Sequence, residues 1–312
     1  MTKPRILFMG TPAFALPALE LLCARNYPVI GVVTQPDRPR GRGQKQVAPT
    51  VKILAQKIGL PVFQPEQVKD QGFLDIVYKL NPEMIAVAAF GQILPKTIID
   101  FPSLHCLNIH PSLLPKYRGA APINWAIIRG EVKTGVTIML MDEGMDSGDI
   151  LLQQEVAIGP TESYGELHDR LAAEGAALLL EAIDRMFKGK ALRQPQDAAI
   201  ATYAPRLKKE TGRINWNADA GSIVNLVRGL SPAPAAYTFL AGQALRIYAA
   251  EALAVSVEDT PGKIGIETVQ GLPVAAANGY VFLKEVQLAG KKRMAVHDFL
   301  RGCHFNSATI LS

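Results

Sequence analysis

An asparagine and a histidine stand two residues apart in an otherwise apolar stretch, LNIHPSLLPKYRGAAPINWAI, from Leu107 to Ile127. If His105–His110 is a strand, successive side chains alternate faces, so Asn108 and His110 share one face while Ile109 points into the core. Pro111 stops the strand, which puts both polar side chains at its carboxyl end, where open α/β sheets bind ligands. The turn that follows, Ser112–Pro115, offers backbone N–H and C=O groups. It can hold a flat heterocycle by its edges, with Leu113 and Leu114 packed on its faces.

A third chemical group is available from MLMDEGMDSGDI (Met139–Ile150), a segment rich in carboxylate and glycine that follows a strand candidate. Asp142, Asp146 and Asp149 are the candidates, and their spacing does not rank them. Asn, His and Asp together suit acyl transfer to an amine. An amide N–H can donate to a developing oxyanion, an imidazole can exchange a proton near neutrality, and a carboxylate can orient that imidazole and stabilise its cation. Singly, each residue has a plainer reading. Asn108 could cap a strand end, His110 could be a satisfied turn histidine and Asp146 an ordinary turn acid. Tyr117 and Trp125 read as core aromatics. The combination of shared face, strand end and a second carboxylate loop is what points to catalysis.

Elements able to position these groups are visible around them. Arg5–Met9, Val29–Thr34, Met84–Ala89, His105–His110 and Gly135–Met141 read as strands, and helix-period segments alternate with the earlier ones. Ala13–Arg25 is helical in pattern, with Pro17 implying a late start. Val51, Leu54, Ala55, Ile58 and Phe73, Ile76, Val77, Leu80 each mark one apolar helix face. Ser163 and Glu166 have capping-box spacing at the head of a helix expected to reach about Phe187. This alternation predicts a Rossmann-like, largely parallel sheet covered by helices.

Beyond it the pattern changes. Residues 190–205 lose periodicity and read as a linker. After one helix marked by Ile223, Leu226, Val227 and Leu230, short strands follow at Ala236–Leu240, Gln243–Tyr248, Lys263–Thr268, Leu272–Ala276, Tyr280–Lys284 and Gln287–Leu288. Turn signals such as Asn278-Gly279 separate them, which predicts a small OB-like β-barrel. The expected organisation is a domain over residues 1–189, the linker and a barrel domain over residues 206–312.

The formal net charge of +5 is unevenly placed: residues 1–189 carry 19 basic and 19 acidic side chains, whereas residues 190–312 carry 14 and 9. A basic module beside a neutral one suggests an anionic partner such as nucleic acid. DRPRGRGQKQ (Asp37–Gln46) adds a glycine-jointed segment with Arg38, Arg40, Arg42 and Lys45, side chains suited to phosphate contacts. Three dispersed cysteines without metal-site spacing argue against zinc and disulfides. No apolar run reaches membrane-spanning length, and the N-terminus turns to Gly-Thr-Pro before a signal-peptide core develops. The expected location is cytoplasmic. GTPAFA (Gly10–Ala15) lacks the second glycine of a dinucleotide fingerprint, which disfavours an NAD enzyme.

GTPAFALPAL (Gly10–Leu19), TQPDRPRGRG (Thr34–Gly43), NIHPSLLPKYRGAAPI (Asn108–Ile123), GVTIMLMDEGMDSGDIL (Gly135–Leu151) and ATYAPRLKKETGRINW (Ala201–Trp216) together resemble the methionyl-tRNA formyltransferase family. The NIHPSLLP and Asp146 motifs are similar to those of other formyltetrahydrofolate enzymes, including glycinamide ribonucleotide formyltransferase, and so specify the chemistry more than the acceptor. The basic segment and basic barrel narrow the acceptor to tRNA. The resemblance implies a formyltransferase fold. It also implies Asn108, His110 and Asp146 as the catalytic trio, a folate-contacting segment at Ser112, Leu113, Leu114 and Pro115, and an RNA-contacting loop that includes Arg42. The implied reaction moves the formyl group of 10-formyltetrahydrofolate to the α-amine of methionyl initiator tRNA, without a metal. A monomer is expected. The principal rival is folate-dependent formyl transfer to a small amine such as an amino-sugar nucleotide. Formyltetrahydrofolate hydrolysis and a nucleic-acid-binding protein with an α/β scaffold are more distant.

Overall fold

A computed structural model describes residues 3–40, 43, 45–303 and 309–312. Two compact units are present. The first comprises residues 1–119, 134–156 and 168–204; the second comprises 120–133, 157–167 and 205–312.

In the first unit, apolar runs form β1 (Ile6–Gly10), β2 (Val29–Val33), β5 (Val62–Phe63), β6 (Met84–Ala88) and β7 (Cys106–His110), joined by α1 (Leu16–Ala24), α2 (Thr50–Lys57), α3 (Gln71–Leu80) and α4 (Lys96–Ile99). Pro17 lies in the first turn of α1, after a 3-10 turn at Ala13–Ala15, where its missing N–H costs nothing. Arg38–Arg40 (β3) and Lys45–Val47 (β4) form a separate antiparallel hairpin. Charge and Pro39 had masked its alternation in the sequence.

β8 (Lys133–Leu140) and β9 (Ile150–Ala157) complete a seven-stranded sheet in the order β5-β2-β1-β6-β7-β8-β9. The first five strands are parallel, and β8 runs antiparallel to β7. β1 and β6 are buried along their whole length, as strands covered on both faces must be. α6 (Tyr164–Phe187) begins with the expected capping box: Ser163 N–H donates to Glu166 Oε2 at 2.8 Å, and Glu166 N–H to Ser163 Oγ at 3.4 Å. Gly175 lets this helix approach the sheet, since a Cβ there would stand 2.7 Å from Ile109 Cγ2.

Of residues 190–205, expected to link two domains, 190–204 are tied into the first unit. Gln194 exchanges backbone hydrogen bonds with Ile150, and Arg118 N–H donates to Thr202 O while Ala204 N–H donates to Arg118 O.

The second unit contains α5 (Pro122–Ile128), α7 (Ala220–Leu230), β10 (Ala236–Leu240), β11 (Gln243–Ala254), β12 (Leu272–Ala276), β13 (Gly279–Leu288), β14 (Met294–Ala295) and α8 (Val296–Arg301). The antiparallel sheet runs β10-β11-β13-β12, with β14 on β13. Lys263–Thr268 is not a regular strand, yet it helps to close the sheet. Gly262 and Gly265 N–H donate to Ala275 O and Pro273 O, Ile264 N–H to Thr309 O, and Leu311 N–H to Gly262 O. Phe239 and Ser312 then exchange both backbone bonds. The curled sheet is thus completed by irregular segments, which hide edge groups that would otherwise be unpaired. Its interior is apolar, built on Ile223, Val227, Ile247, Val274, Val281 and Leu283.

Candidate active site

β7 lies between β6 and β8, with Asn108 in register with Val87 and Met139, and His110 opposite Thr137. Asn108 is partly exposed and His110 is buried. Among the described residues the Asn108 carboxamide has no hydrogen-bond partner, so its donors are available to a ligand.

His110 is held from both sides. Its Nε2 lies 3.0 Å from Tyr117 O; a carbonyl only accepts, so Nε2 carries the hydrogen. Its Nδ1 lies 3.6 Å from Asp146 Oδ2, a charge contact longer than a formed hydrogen bond. Tyr117 at φ 62° and Asp146 at φ 51° adopt left-handed backbone that non-glycine residues rarely take. Such strain persists where surrounding contacts enforce it.

Of the three candidate acids, only Asp146 is brought to the histidine. Its Oδ2 also accepts Gly119 N–H at 2.8 Å. Gly119 has φ 117°, and a Cβ there would lie 2.8 Å from Ala204 O, so this donor position requires glycine. Asp142 is used locally, accepting from Gly144 N–H and Ser147 Oγ. The backbone carbonyl of Asp149 accepts Leu140 N–H at the mouth of the loop.

The Ser112–Pro115 loop differs from the expectation of free edges. Thr137 Oγ1 donates to Ser112 O at 2.6 Å and accepts from Leu114 N–H at 3.2 Å and Gln153 Nε2 at 2.9 Å. Gln153 also donates to Leu114 O. Pro115 O accepts Thr202 N–H, and Ser112 Oγ donates to Lys116 O. Leu114 is buried with Met139 and Ile150, and Leu113 lies against Gly135, where a Cβ would come within 2.4 Å of its Cδ2. Both leucines therefore anchor the loop inward. Carbonyl oxygens carry two lone pairs, so the loop retains acceptors for a ligand, although its shape is fixed from below.

Sequence reasoning missed Thr137, Gln153, Arg118 and Gln196. Gln196 donates through Nε2 to Asp146 O at 2.9 Å and Gly148 O at 2.7 Å, and its Oε1 accepts from Arg118 Nε and Nη2 at 3.1 and 2.7 Å. The only signal for Thr137 was a polar residue inside an apolar strand; Gln196 had none.

In the basic segment, Arg38 is exposed and pairs with Glu66 at 2.8 Å. Neighbouring Asp37 accepts from Lys52 and Gln64, and these hydrogen bonds hold its carboxyl below the usual carboxylate range. Arg42 lies outside the described residues, and only the backbone of Arg40 and Lys45 is described.

The formyl transferase family matches residues 4–183, and the formyl transferase C-terminal domain matches residues 206–304. The chain is 57% identical over 311 residues to the methionyl-tRNA formyltransferase of Syntrophus aciditrophicus (strain SB), covering all of both chains. It is 48% identical to that of Geotalea uraniireducens (strain Rf4), covering 100% of this chain and 99% of the relative. Among solved structures, an N-formyltransferase from Helicobacter canadensis with folinic acid and dTDP-3-aminofucose shares the fold. It has a TM-score of 0.65 at 17% identity, over 93% of this chain and 100% of that one. The methionyl-tRNA formyltransferase from Clostridium thermocellum also shares it, with a TM-score of 0.56 at 20% identity over 80% and 93%. Two family matches along the chain and full-length identity of this order make the chain a member of the methionyl-tRNA formyltransferase family.

Proposed function

We propose that this chain transfers the formyl group of 10-formyltetrahydrofolate to the α-amine of methionyl initiator tRNA. One observation carries the reading: an Asn108 carboxamide without a partner among the described residues and a His110–Asp146 pair stand together at the carboxyl end of a central strand. The folate co-substrate supplies the activated formyl carbon. Asn108 donates its N–H to the negative charge that develops on the carbonyl oxygen under attack. The amine nitrogen bonds to the formyl carbon as the bond from that carbon to the folate nitrogen breaks. His110 Nδ1, held only at 3.6 Å, accepts the proton the amine loses and returns it to the departing folate nitrogen, and such contacts in ligand-free enzymes tighten on binding. Asp146 keeps the ring turned and balances the charge it carries while protonated.

The acceptor is read from the family and from charge. In this proposal the first unit handles folate and chemistry through Asn108, His110, Asp146 and the backbone of Ser112–Pro115. Arg38, Arg40, Arg42 and Lys45 contact tRNA phosphates together with the barrel domain. The proposal includes a monomer in the cytoplasm; among the described residues no helix is long and apolar enough to cross a membrane.

The test offers 10-formyltetrahydrofolate with methionyl initiator tRNA, uncharged tRNA or a dTDP-amino sugar. Formylated methionyl-tRNA alone supports the proposal. Formylation of the sugar instead assigns the same site to a small amine, and release of formate without an acceptor assigns it to hydrolysis.

A further inference from the structure

We propose that Gln196 is a positioning residue for formyl transfer, clamping the turn that presents Asp146 to His110; this rests on the site assignment above. All four hydrogen-bonding positions of its amide are used. Both N–H groups go to the carbonyls of Asp146 and Gly148, and both oxygen lone pairs receive the Arg118 guanidinium. Because a guanidinium cannot accept, it fixes which end of the amide faces the turn. Arg118 is itself buried and cannot turn away into solvent.

The clamp acts on the backbone that most needs support. Asp146 adopts φ 51°, and Gly148 is packed so closely that a Cβ would stand 1.9 Å from Leu140 O. A left-handed aspartate beside so tight an approach persists only while its surroundings enforce it. Gln196 caps the carbonyls on both sides of that turn. Its own place is fixed by two anchors: Gln194 pairs with Ile150, and residues 202–204 pair with Arg118.

The remaining links close a ring. Tyr117 O holds His110 Nε2, Arg118 holds Gln196, and Gly119 N–H holds Asp146 Oδ2. Three consecutive residues thus touch the base, the clamp and the acid. Loss of the clamp frees Asp146 to drift from His110 without removing any group that binds either substrate. A displacement of about 1 Å in a reacting constellation costs on the order of 10²-fold in rate.

The experiment uses the full-length protein with two substitutions. Gln196→Met keeps the volume and removes every bond. Gln196→Glu keeps an acceptor for Arg118 but turns an oxygen toward the carbonyls of Asp146 and Gly148. The expected result in both is a fall in kcat of roughly ten- to a hundred-fold, with KM for folate and for tRNA within about two-fold of wild type. NMR of the His110 ring at fixed pH supplies a readout that needs no substrate: its ring resonances move in both variants, most tellingly in the uncharged Gln196→Met. Unchanged kcat with unchanged His110 ring resonances in Gln196→Met overturns the proposal. So does a loss of activity that tracks the unfolded fraction in a thermal melt, since activity per folded molecule would then be native. If wild-type protein formylates no methionyl-tRNA, the acceptor assignment fails while the His110 ring resonances still decide the clamp.

Discussion

Asp146 Oδ2 stands 3.6 Å from His110 Nδ1 and takes the backbone N–H of Gly119 at 2.8 Å, so one carboxylate oxygen serves both the ring and the chain. The two roles separate under mutation. Asp146→Asn retains a carbonyl oxygen for Gly119 but removes the charge that faces the imidazole. The expected outcome is a native melting profile with kcat reduced at least about 10²-fold. Steady-state kinetics beside a thermal melt check it; native kcat would remove Asp146 from the mechanism.

Thr137 is the hub beneath the Ser112–Pro115 loop. Thr137→Val preserves shape but strips the partner from Ser112 O, Leu114 N–H and one N–H of Gln153. A buried backbone group left unpaired costs about 1–3 kcal/mol. The denaturant midpoint should fall accordingly and KM for the folate should rise, with Thr137→Ser recovering both. Unaltered folate KM in Thr137→Val would mean that the loop's shape does not govern folate binding.

His105 precedes β7 and accepts Arg193 Nη2 at 2.6 Å. Burial, and then the nearby arginine charge, push its pKa below the ordinary value of 6.5, against a smaller opposing pull from Asp100. The folded state therefore binds fewer protons than the unfolded one. The resulting stability is present above about pH 6.5 and is lost as pH falls from there through the lowered folded value. Melting temperature should decline between pH 7.5 and 5.5, with a shallower decline in His105→Gln. Parallel curves for the two proteins would contradict the assignment.

Arg38 and Glu66 form an exposed pair, so Arg38→Ala should change stability by less than about 1 kcal/mol. In the proposed function its effect falls on RNA binding. Removing Arg38 or Arg42 should weaken methionyl-tRNA binding and lower the slope of log K against log salt by roughly one for each phosphate no longer neutralised. Folate binding should be untouched. A salt slope identical to wild type in both variants would remove this segment from the RNA interface.

Much of this was legible because it is local. The shared face of Asn108 and His110 follows from two-residue alternation, the capping box of α6 from three-residue spacing, and the barrel from short runs between turn residues. What was hidden depends on contacts through space. Gln196 sits in a stretch without periodicity, and its partners Asp146 and Gly148 are remote in sequence. α5 lies between two strands of the first sheet in sequence, yet Asn124 donates to Gly229 O, and the helix belongs to the second unit. β9 was missed because LLQQEVA alternates too weakly beside its polar neighbours. The inward set of Leu113 and Leu114 depends on Gly135 and Met139 from the neighbouring strand.

The most direct measurement is the single-turnover rate of formylmethionyl-tRNA formation by wild-type protein and Asn108→Ala, with both substrates saturating. Asn108 has no structural partner among the described residues, so its loss should leave folding and substrate binding intact. Removing one oxyanion donor should then slow the chemical step by about 10²–10³. An Asn108→Ala protein that formylates methionyl-tRNA at the wild-type rate would contradict the account.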